Sequence, residues 1–353
     1  MTVMRIGIIT LGFHYNYGGI LQAYAMQMTL NGLGHKAYVI GYSNRSMWRI
    51  FLGNMKWKLS KIIRKPKNVM DKISTFPLYH IPMKYFPSYE YIKESSFDGY
   101  VVGSDQVWRE EFILDFSLSF LLFTEGWSVK RVAYAPSFGP AEWTYGKKAT
   151  SIIKKSLLTF DGLSTRERSG AELCEKHLGL KAKVVLDPTL MAPLSVFTKF
   201  VNHSKKEFSL PFVYFVKRNL ASVDIEKMMR KLGESAFSQV YLPYEGYDCG
   251  VLPSVEEWLS HIHHAKFVFT DSFHACVFCI LFHTPFIIMP NQWGGNSRFD
   301  SLLKPLGLES RIVSSEMTNV QDVLWHPVDW VKVDKKLNEL RHDSASFLEK
   351  ALM

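Results

Sequence analysis

Four polar turns in this sequence each follow an apolar run typical of a β-strand, and they contain the side chains best suited to chemistry. The turn from Thr270 to His274 is the most informative of the four. Asp271 or Ser272 can cap the helix that follows, which places His274 in its first turn. The run from Ala275 to Phe282 is almost wholly apolar, so we expect a buried helix whose N-terminus alone reaches a cleft.

A histidine in the first turn of a buried helix is poorly placed for a structural role alone. The helix dipole opposes protonation of the His274 ring, so an anionic ligand would be needed to compensate. The alternative is a core histidine whose hydrogen bonds are satisfied within the protein. We expect His274 to contact a ligand.

The turn from Ser164 to Arg168 carries an arginine at a comparable place. Arg166 follows one strand pattern and opens a helical one, and its guanidinium group can hold carboxylate or phosphate oxygens in a bidentate manner. Glu167 and Arg168 leave a second interpretation open, in which Arg166 is one member of an ion-pair cluster on the surface.

The other two turns combine glycine with amide, hydroxyl and carboxyl groups. Their candidate residues are Asn16, Tyr17, Gly18, Gly19, Ser104, Asp105 and Gln106. The glycine pair precedes a helical pattern that starts at Ile20, where a ligand could approach the backbone and an anion could face the unpaired N–H groups. A tight turn that only packs helix on strand is the alternative. Because ligands of open α/β sheets bind at the carboxyl ends of strands, we expect the four turns to meet at one cleft.

Other clusters of reactive residue types favour structural roles. Cys276 and Cys279 lie inside an apolar helical run without a second cysteine pair, so core packing is the simpler interpretation. His261, His263 and His264 suggest a metal site, but Ser254 and Glu257 form a capping-box pattern and the histidines end that helix. We expect no metal.

The elements that must position these turns alternate between strand and helix patterns. This alternation predicts an α/β fold with two Rossmann-like, doubly wound domains. The pattern breaks after Asp187-Pro188 and starts again near residue 211, so we divide the chain into residues 1–190 and 191–353. The last stretch, from Val333 to Leu352, predicts one or two helices that pack back on the N-terminal domain. The strand patterns are Arg5–Thr10, Ala37–Gly41, Tyr100–Val102, Val132–Ala135, Gly162–Ser164, Val184–Leu186, Pro211–Val216, Phe237–Tyr241, Phe267–Phe269 and Phe286–Met289.

The composition is that of an ordinary globular protein. The chain has 353 residues, of which 47% are hydrophobic and 21% charged, and no window reaches the roughly 18 apolar residues of a membrane span. The N-terminus lacks signal-peptide anatomy, and the four cysteines are too few for a disulfide framework. These features predict a cytoplasmic protein.

The net charge of +9 is concentrated in one segment. Residues 45–72 contain nine Lys or Arg against one Asp, so the rest of the chain carries only +1. Trp48, Phe51, Met55, Leu59 and Ile62 fall on one helical face of this segment, within a basic insertion at about 45–95. Such a helix can contact an anionic membrane surface reversibly or bind a phosphorylated partner; a solvated helix is the alternative. The local confinement of charge argues against nucleic-acid binding.

Together, these motifs resemble the polysaccharide pyruvyl transferase family. The resemblance covers roughly residues 4–312 and departs mildly at Ala275, where the family usually has glycine. The matching stretches are residues 16–24, 102–108, 187–190, 271–274 and 298–303. The resemblance implies two Rossmann-like domains facing across a cleft, as in GT-B glycosyltransferases, and a cytoplasmic enzyme that can work at the inner face of the plasma membrane.

The family transfers the enolpyruvyl carbon of phosphoenolpyruvate onto two sugar hydroxyls, which gives a cyclic ketal and releases phosphate. The implied acceptor is a sugar of a bacterial polysaccharide or of its lipid-diphosphate-linked precursor, and no cofactor is implied. His274, Arg166 and Asp105 are then the expected catalytic residues, with Arg298 and Ser272 beside Arg166 and His274 at the donor. Asn16 to Gly19 and Ser104 to Gln106 are expected to line the acceptor side. A GT-B glycosyltransferase that uses a nucleotide sugar is the alternative function.

Overall fold

The computed structural model describes most of the chain in nine stretches. These are residues 2–13, 16–42, 71–113, 115–203, 209–216, 225–241, 252–289, 296–313 and 320–353. His14, Tyr15 and nearly all of the basic segment lie outside them, so the expected amphipathic helix at 45–72 is not described.

The N-terminal half forms a seven-stranded sheet in the order β3-β2-β1-β4-β5-β6-β7, and every neighbouring pair is parallel. Its strands are β1 (Arg5–Ile9), β2 (Lys36–Tyr42), β3 (Met83–Phe86), β4 (Gly99–Val102), β5 (Lys130–Ala133), β6 (Gly162–Thr165) and β7 (Lys183–Val184). β1 and β4 are buried along most or all of their length, as expected for central strands of a parallel sheet.

The C-terminal half forms a four-stranded parallel sheet in the order β11-β10-β8-β9. Its strands are β8 (Phe212–Phe215), β9 (Ser238–Tyr241), β10 (Val268–Thr270) and β11 (Phe286–Ile288). Parallel neighbours require crossover connections, which helices supply in both halves. The prediction of two Rossmann-like domains is therefore confirmed.

The helices of the described residues cover both sheets. They are α1 (Tyr17–Gly32), α2 (Asp71–His80), α3 (Phe116–Ser119), α4 (Lys147–Leu157), α5 (Arg168–Leu173), α6 (Pro188–Met191), α7 (Ser195–Thr198), α8 (Ile225–Lys231), α9 (Val255–His264), α10 (Phe273–Phe282), α11 (Asn296–Leu306), α12 (Val320–Trp325) and α13 (Trp330–Leu352). A π-helical turn, Cys174–Leu178, continues α5. Among them, no helix combines the length and apolar character needed to cross a bilayer.

Helix α1 joins the two domains. Tyr17, in its first turn, is fully buried and stacks on Trp258 of α9 with ring centroids 5.1 Å apart. The Tyr17 hydroxyl donates a hydrogen bond to the carbonyl of Pro253 at 2.7 Å. One hydrophobic core includes residues of both sheets and of α1. The elements at the cleft are thus fixed relative to one another by packing.

The C-terminal residues form one helix, α13, which contacts the N-terminal domain. The hydroxyl of Ser344 accepts a hydrogen bond from the Leu186 N–H at 3.0 Å, and Arg341 Nε donates to the Leu190 carbonyl at 2.6 Å. Lys183, at the start of β7, forms an ion pair with Asp343. The helix therefore supports the strand end at which Asp187 lies.

The region 71–95 differs from its sequence-based interpretation. β3 pairs in parallel with β2 at the sheet edge and is not among the strand patterns named above. Its sequence, Met-Lys-Tyr-Phe, lacks the apolar run that marked the central strands. The reason is that all four residues are only partly buried. This part of the proposed insertion belongs to the sheet.

Candidate active site

Arg166 lies at the carboxyl end of β6 and is 5% exposed. Its Nη1 donates to Asp187 Oδ2 at 3.0 Å, and its Nη2 is 3.6 Å from Asp105 Oδ1. The guanidinium also stacks on the ring of Phe273, 4.6 Å from its centroid. Burial opposes the charge, but the surrounding carboxylates outweigh it and raise the arginine's pKa. The interpretation of Arg166 as part of a surface ion-pair cluster is therefore wrong.

Asp187 connects the groups around Arg166. Its Oδ2 accepts a hydrogen bond from the Ser104 hydroxyl at 2.8 Å, while Oδ1 accepts from the N–H and hydroxyl of Thr189 at 3.0 and 2.6 Å. Burial alone would raise the pKa of the Asp187 carboxyl. Neighbouring His274 and Arg166, with the Thr189 hydroxyl, instead hold that pKa well below its usual range. Asp187 is thus a buried, ionised carboxylate.

His274 occupies the first turn of α10, as the sequence predicted. Ser272 caps this helix, because its hydroxyl accepts the N–H of Ala275 at 3.3 Å. Nearly all of α10 is buried, including His274 itself at 6% exposure. His274 Nε2 lies 3.6 Å from Asp187 Oδ2, beyond hydrogen-bond distance but close enough for electrostatic attraction. The helix thus brings a C-terminal-domain histidine against N-terminal-domain charges.

Neighbouring side chains leave no room for a Cβ atom at positions 18 and 19, so both positions need glycine. A Cβ atom on Gly18 would lie 2.0 Å from Nδ1 of His274, so any side chain there would displace the imidazole. A Cβ on Gly19 would lie 2.8 Å from Nδ2 of Asn16, whose Oδ1 caps α1 by accepting the Gly19 N–H at 3.0 Å. The expectation that this pair leaves room for a ligand is wrong, because a protein side chain occupies the space at each position.

Asp105 sits in a tightly held turn after β4. Its φ of 70° lies in the left-handed region that non-glycine residues rarely adopt. The Ser104 N–H donates to Oε1 of Gln22 at 3.0 Å, and Nδ2 of Asn16 donates to Asp105 Oδ2 at 3.2 Å. Asn16 thereby orients the carboxylate, while Gln22 holds the backbone of the turn.

Six side chains form what we call the charged cluster. They are Asp105, Arg166, Glu167, Asp187, His274 and Arg298. Burial and the like charge of Arg166 lower the pKa of Arg298 to about 10. A cavity of about 160 Å³, lined by Arg166, Asp187, Phe273 and Arg298, adjoins the cluster.

Several buried polar atoms of the charged cluster have no hydrogen-bond partner in the described part of the chain. They are Nε and Nη2 of Arg166, Oε2 of Glu167 and Nε2 of His274. Buried polar atoms in native proteins are nearly always paired, and a missing ligand is a common reason for exceptions. The convergence of cationic and imidazole donors matches an anion with several oxygens.

A larger cavity of about 670 Å³ lies at the carboxyl ends of β1, β2 and β3. We call it the apolar cavity; its wall includes Leu11, Val39, Leu78, Met83, Tyr85 and Val107. Thr10, also in its wall, donates a hydrogen bond from its hydroxyl to the Ser104 carbonyl at 3.3 Å. The apolar cavity is thus separated from Asp105 by one short turn.

The remaining candidates from the sequence lie outside the charged cluster. Tyr17 is not at the cleft, because it is buried between the domains, and Ser104 is fully buried beneath Asp187. Gln106 accepts a hydrogen bond from Arg109 Nη1 at 3.1 Å. The three described cysteines are free and buried, and His261, His263 and His264 end α9 as predicted. Within the described stretches, no group of three metal-ligating side chains is arranged around a common point.

Sequence reasoning missed the chemical importance of Glu167 and Phe273 and gave Asp187 only a place in a motif. For Glu167 and Phe273 the available signal was position, since each adjoins a candidate at a strand end, Arg166 or His274. The sequence model of polysaccharide pyruvyl transferases matches residues 16–292, which include all six members of the charged cluster except Arg298. The chain belongs to the polysaccharide pyruvyl transferase family. No match was found among curated proteins.

Solved structures similar to this protein share its fold at low sequence identity. Arabidopsis thaliana UGT89C1, complexed with UDP-L-rhamnose, aligns over 100% of both chains with 9% identity and a TM-score of 0.55. A Listeria monocytogenes protein described as a putative UDP-N-acetylglucosamine 2-epimerase aligns over 97% of this chain and 91% of its own, with 11% identity and a TM-score of 0.50. The architecture is GT-B-like, with two Rossmann-like domains.

Proposed function

We propose that this protein transfers the enolpyruvyl carbon of phosphoenolpyruvate to two hydroxyls of one sugar. C3 of the donor takes up a proton, C2 becomes electrophilic, and the first sugar hydroxyl attacks it. Phosphate then leaves, and the second hydroxyl attacks C2 and closes the cyclic ketal. The two hydroxyls lose two protons in total, which equals the one proton gained at C3 and the one that leaves on phosphate. The observation that carries the proposal is the convergence of unpaired Arg166 and His274 donors in a member of this family.

The donor's two anionic groups match the cationic side of the charged cluster. Arg166 offers Nε and Nη2, both unpaired in the described stretches, to a phosphate or carboxylate. Arg298 adds a second guanidinium, whose pKa is lowered to about 10 because burial and the like charge of Arg166 both disfavour its charged form. Ser272 contributes by capping α10 and thereby fixing the first turn that carries His274.

His274 and Asp105 are the groups suited to move protons. His274 Nε2 is unpaired in the described part of the chain and is the proposed proton-transfer or phosphate-contact group. Nε2 also lies 3.6 Å from Oδ2 of Asp187, the ionised carboxylate of the charged cluster. Asp105, held by Asn16, is the carboxylate proposed to orient or deprotonate an acceptor hydroxyl.

The acceptor is proposed to approach Asp105 from the side of the apolar cavity. The cavity volume of about 670 Å³ suits a sugar with an attached apolar group, and its polar wall atoms lie near the turn that carries Asp105. No cofactor is needed for this reaction, because phosphate is displaced as a leaving group.

The site of action is proposed to be the cytoplasm, with reversible contact at the inner face of the plasma membrane. The support is the basic segment 45–72, which lies almost wholly outside the described residues. Each basic residue near an anionic surface contributes about 1 kcal/mol. Replacing Lys56, Lys58, Lys61, Arg64 and Lys65 with Gln should abolish co-sedimentation with anionic vesicles and leave activity on a soluble acceptor intact; equal sedimentation would contradict the contact.

Mass measurement after incubation with the donor tests the proposed function. The protein is incubated with phosphoenolpyruvate and either nitrophenyl glycosides or lipid-linked sugars. We expect a product heavier than the acceptor by pyruvic acid less one water, with one phosphate released per product. Parallel reactions with UDP- and GDP-sugars test the glycosyltransferase alternative. Glycosyl transfer from a nucleotide sugar, with no product from phosphoenolpyruvate, would overturn the proposal.

A further inference from the structure

Glu167 is a buried carboxylic acid whose position is not explained by helix capping. It occupies the N-cap position of α5, where a carboxylate commonly accepts a backbone N–H, but its side chain makes no capping hydrogen bond. The residue is 1% exposed, and its Oε2 has no partner among the described residues. The Ser137 hydroxyl and the Phe138 N–H also hydrogen-bond to this carboxyl group. A buried carboxylate oxygen without a partner is costly, so a further interaction is expected at Oε2.

Arg166 brings a charged group close to Glu167. Glu167 Oε2 lies 3.8 Å from Arg166 Nε, too far for a hydrogen bond, and both atoms are unpaired in the described stretches. Arg298 on α11 is the other cation that acts on Glu167, while Ser137 and the Phe138 backbone face it from the loop after β5. Cys174, whose thiol pKa burial raises to about 12, faces Glu167 from the π-helical turn. An anion bound to Arg166 Nε would therefore lie beside Oε2.

The charges of the cluster do not balance when such an anion binds. Asp105, Glu167 and Asp187 supply three carboxyl groups against the guanidinium groups of Arg166 and Arg298, and the imidazole of His274 adds at most one more positive charge. Arg109 also lies nearby, but its Nη2 pairs with Glu111 Oε2 at 2.5 Å. A donor with a carboxylate and a phosphate adds at least two further negative charges. At least one carboxyl group of the cluster is therefore expected to be neutral in the complex.

Of the three carboxyl groups, Glu167 is the one suited to be neutral. Asp187 accepts four hydrogen bonds and is held ionised by His274 and Arg166. Asp105 accepts from Asn16 and faces Arg166. Burial raises the pKa of Glu167, although Arg166, Ser137 and Arg298 oppose that shift. A protonated Glu167 gains an O–H donor that a phosphate or carboxylate oxygen can accept.

We infer that Glu167 binds the donor in its protonated form, donating its carboxyl O–H to an anionic oxygen, so that donor binding takes up one proton from solvent. This inference rests on the proposed function, since it concerns the same donor. It assigns Glu167 a binding role beside Arg166. The proton remains on Glu167 in the complex and returns to solvent when the anion leaves.

Calorimetry of phosphoenolpyruvate binding, in buffers of different ionisation enthalpy, counts the protons taken up. At a pH above the pKa of Glu167 in the free protein, we expect the wild type to take up about one proton more than Glu167→Gln, which keeps a neutral hydrogen-bond donor. Above the pKa of Glu167, the wild-type Kd should rise by about tenfold per pH unit, whereas that of Glu167→Gln should be flat. Glu175→Gln, at an exposed glutamate in the π-helical turn, is the matched control and should retain the uptake.

A second measurement does not depend on the variant folding well. The infrared difference spectrum of the wild type on adding phosphoenolpyruvate should gain the carbonyl stretch of a protonated carboxyl group. Binding without proton uptake, or uptake retained in Glu167→Gln and lost in His274→Gln, would overturn this inference and leave the proposed function standing. No phosphoenolpyruvate binding to the wild type would overturn both.

Discussion

The carboxyl edge of the N-terminal sheet carries two regions of opposite character. The charged cluster joins residues that follow β4, β6 and β7 to His274 and Arg298 of the C-terminal domain, and all its members except Arg298 are less than 9% exposed. The apolar cavity follows β1, β2 and β3, encloses about 670 Å³ and is lined mostly by apolar and aromatic side chains. One region is packed around buried charges, while the other is open.

The difference indicates how each region can respond to a ligand. Buried charges are costly to desolvate and are held by specific contacts, so the charged cluster is already arranged for one small anion. The apolar cavity contributes contact area with few directional constraints, which suits variable or apolar groups. We therefore expect substitutions in the charged cluster to have large effects and those at the cavity rim to have small ones.

The largest effect is expected for His274→Gln. If the imidazole transfers a proton, turnover should fall by about 10² or more, because glutamine can hydrogen-bond but cannot exchange a proton at neutral pH. The melting temperature should be nearly unchanged. His177→Gln, at a ring stacked on Trp143 away from the cluster, is the control and should keep wild-type turnover. Activity of His274→Gln within a few-fold of wild type would mean that this histidine is structural.

Arg166→Lys is expected to weaken donor binding next most strongly. Lysine keeps the charge but has one nitrogen in place of three. It cannot donate to Asp187, as Nη1 does, and also offer two further N–H groups to an anion, as Nε and Nη2 can. Each charged hydrogen bond contributes about 1.5–3 kcal/mol, so Kd for phosphoenolpyruvate should rise by about 10- to 100-fold. Calorimetry measures it, with Arg5→Lys at the exposed Asp98 ion pair as a control. An unchanged Kd and turnover in a folded Arg166→Lys protein would contradict the role.

Gly18→Ala tests whether the charged cluster depends on the position of the His274 ring. The added methyl group would lie 2.0 Å from Nδ1, so the imidazole must move. A displacement of about 1 Å at a reacting group can cost up to 10²-fold, and we expect turnover to fall by about tenfold. Gly32→Ala, in the same helix with no atom within 4 Å of the added group, should be active. Wild-type turnover in folded Gly18→Ala would show that the ring position is not critical.

The sequence predicted those features that depend on local pattern. Strand ends, the Ser272 cap and the polar turns could be placed because each is encoded within a few neighbouring residues. Arg166 and His274 were found because a charged or titratable residue at a strand end is conspicuous. Both lie in the charged cluster, as a shared cleft required.

Features that depend on distant contacts could not be predicted in the same way. The glycine pair suggested space for a ligand. The space beside Gly18 is instead filled by His274, which belongs to α10 of the other domain. Tyr17 seemed suited to a cleft, but its contact with Trp258 is set by how the domains pack. Asp187 gains its importance from Ser104, Arg166 and His274, which three separate elements supply.

The smallest effect is expected at the rim of the apolar cavity. Leu78 on α2 lines the cavity and is 47% exposed, so Leu78→Glu places a charge at the rim with little cost to the core. Burying about half of a leucine side chain against an apolar ligand group contributes roughly 1 kcal/mol. The KM for a nitrophenyl glycoside should therefore rise by about fivefold, while Kd for phosphoenolpyruvate stays constant.

The control for the cavity is Leu158→Glu, at another exposed leucine, 62% accessible, which is the C-cap residue of α4. It introduces the same charge outside the cavity and should leave every constant unchanged. The free sugar sharpens the comparison, because without the nitrophenyl group it has no apolar contact for Leu78→Glu to remove. An equal rise in KM for the free sugar would show that the cavity recognises the sugar ring. If KM rises for neither acceptor, the apolar cavity does not bind the acceptor. The charged cluster would then be the part of this sheet edge that contacts substrate.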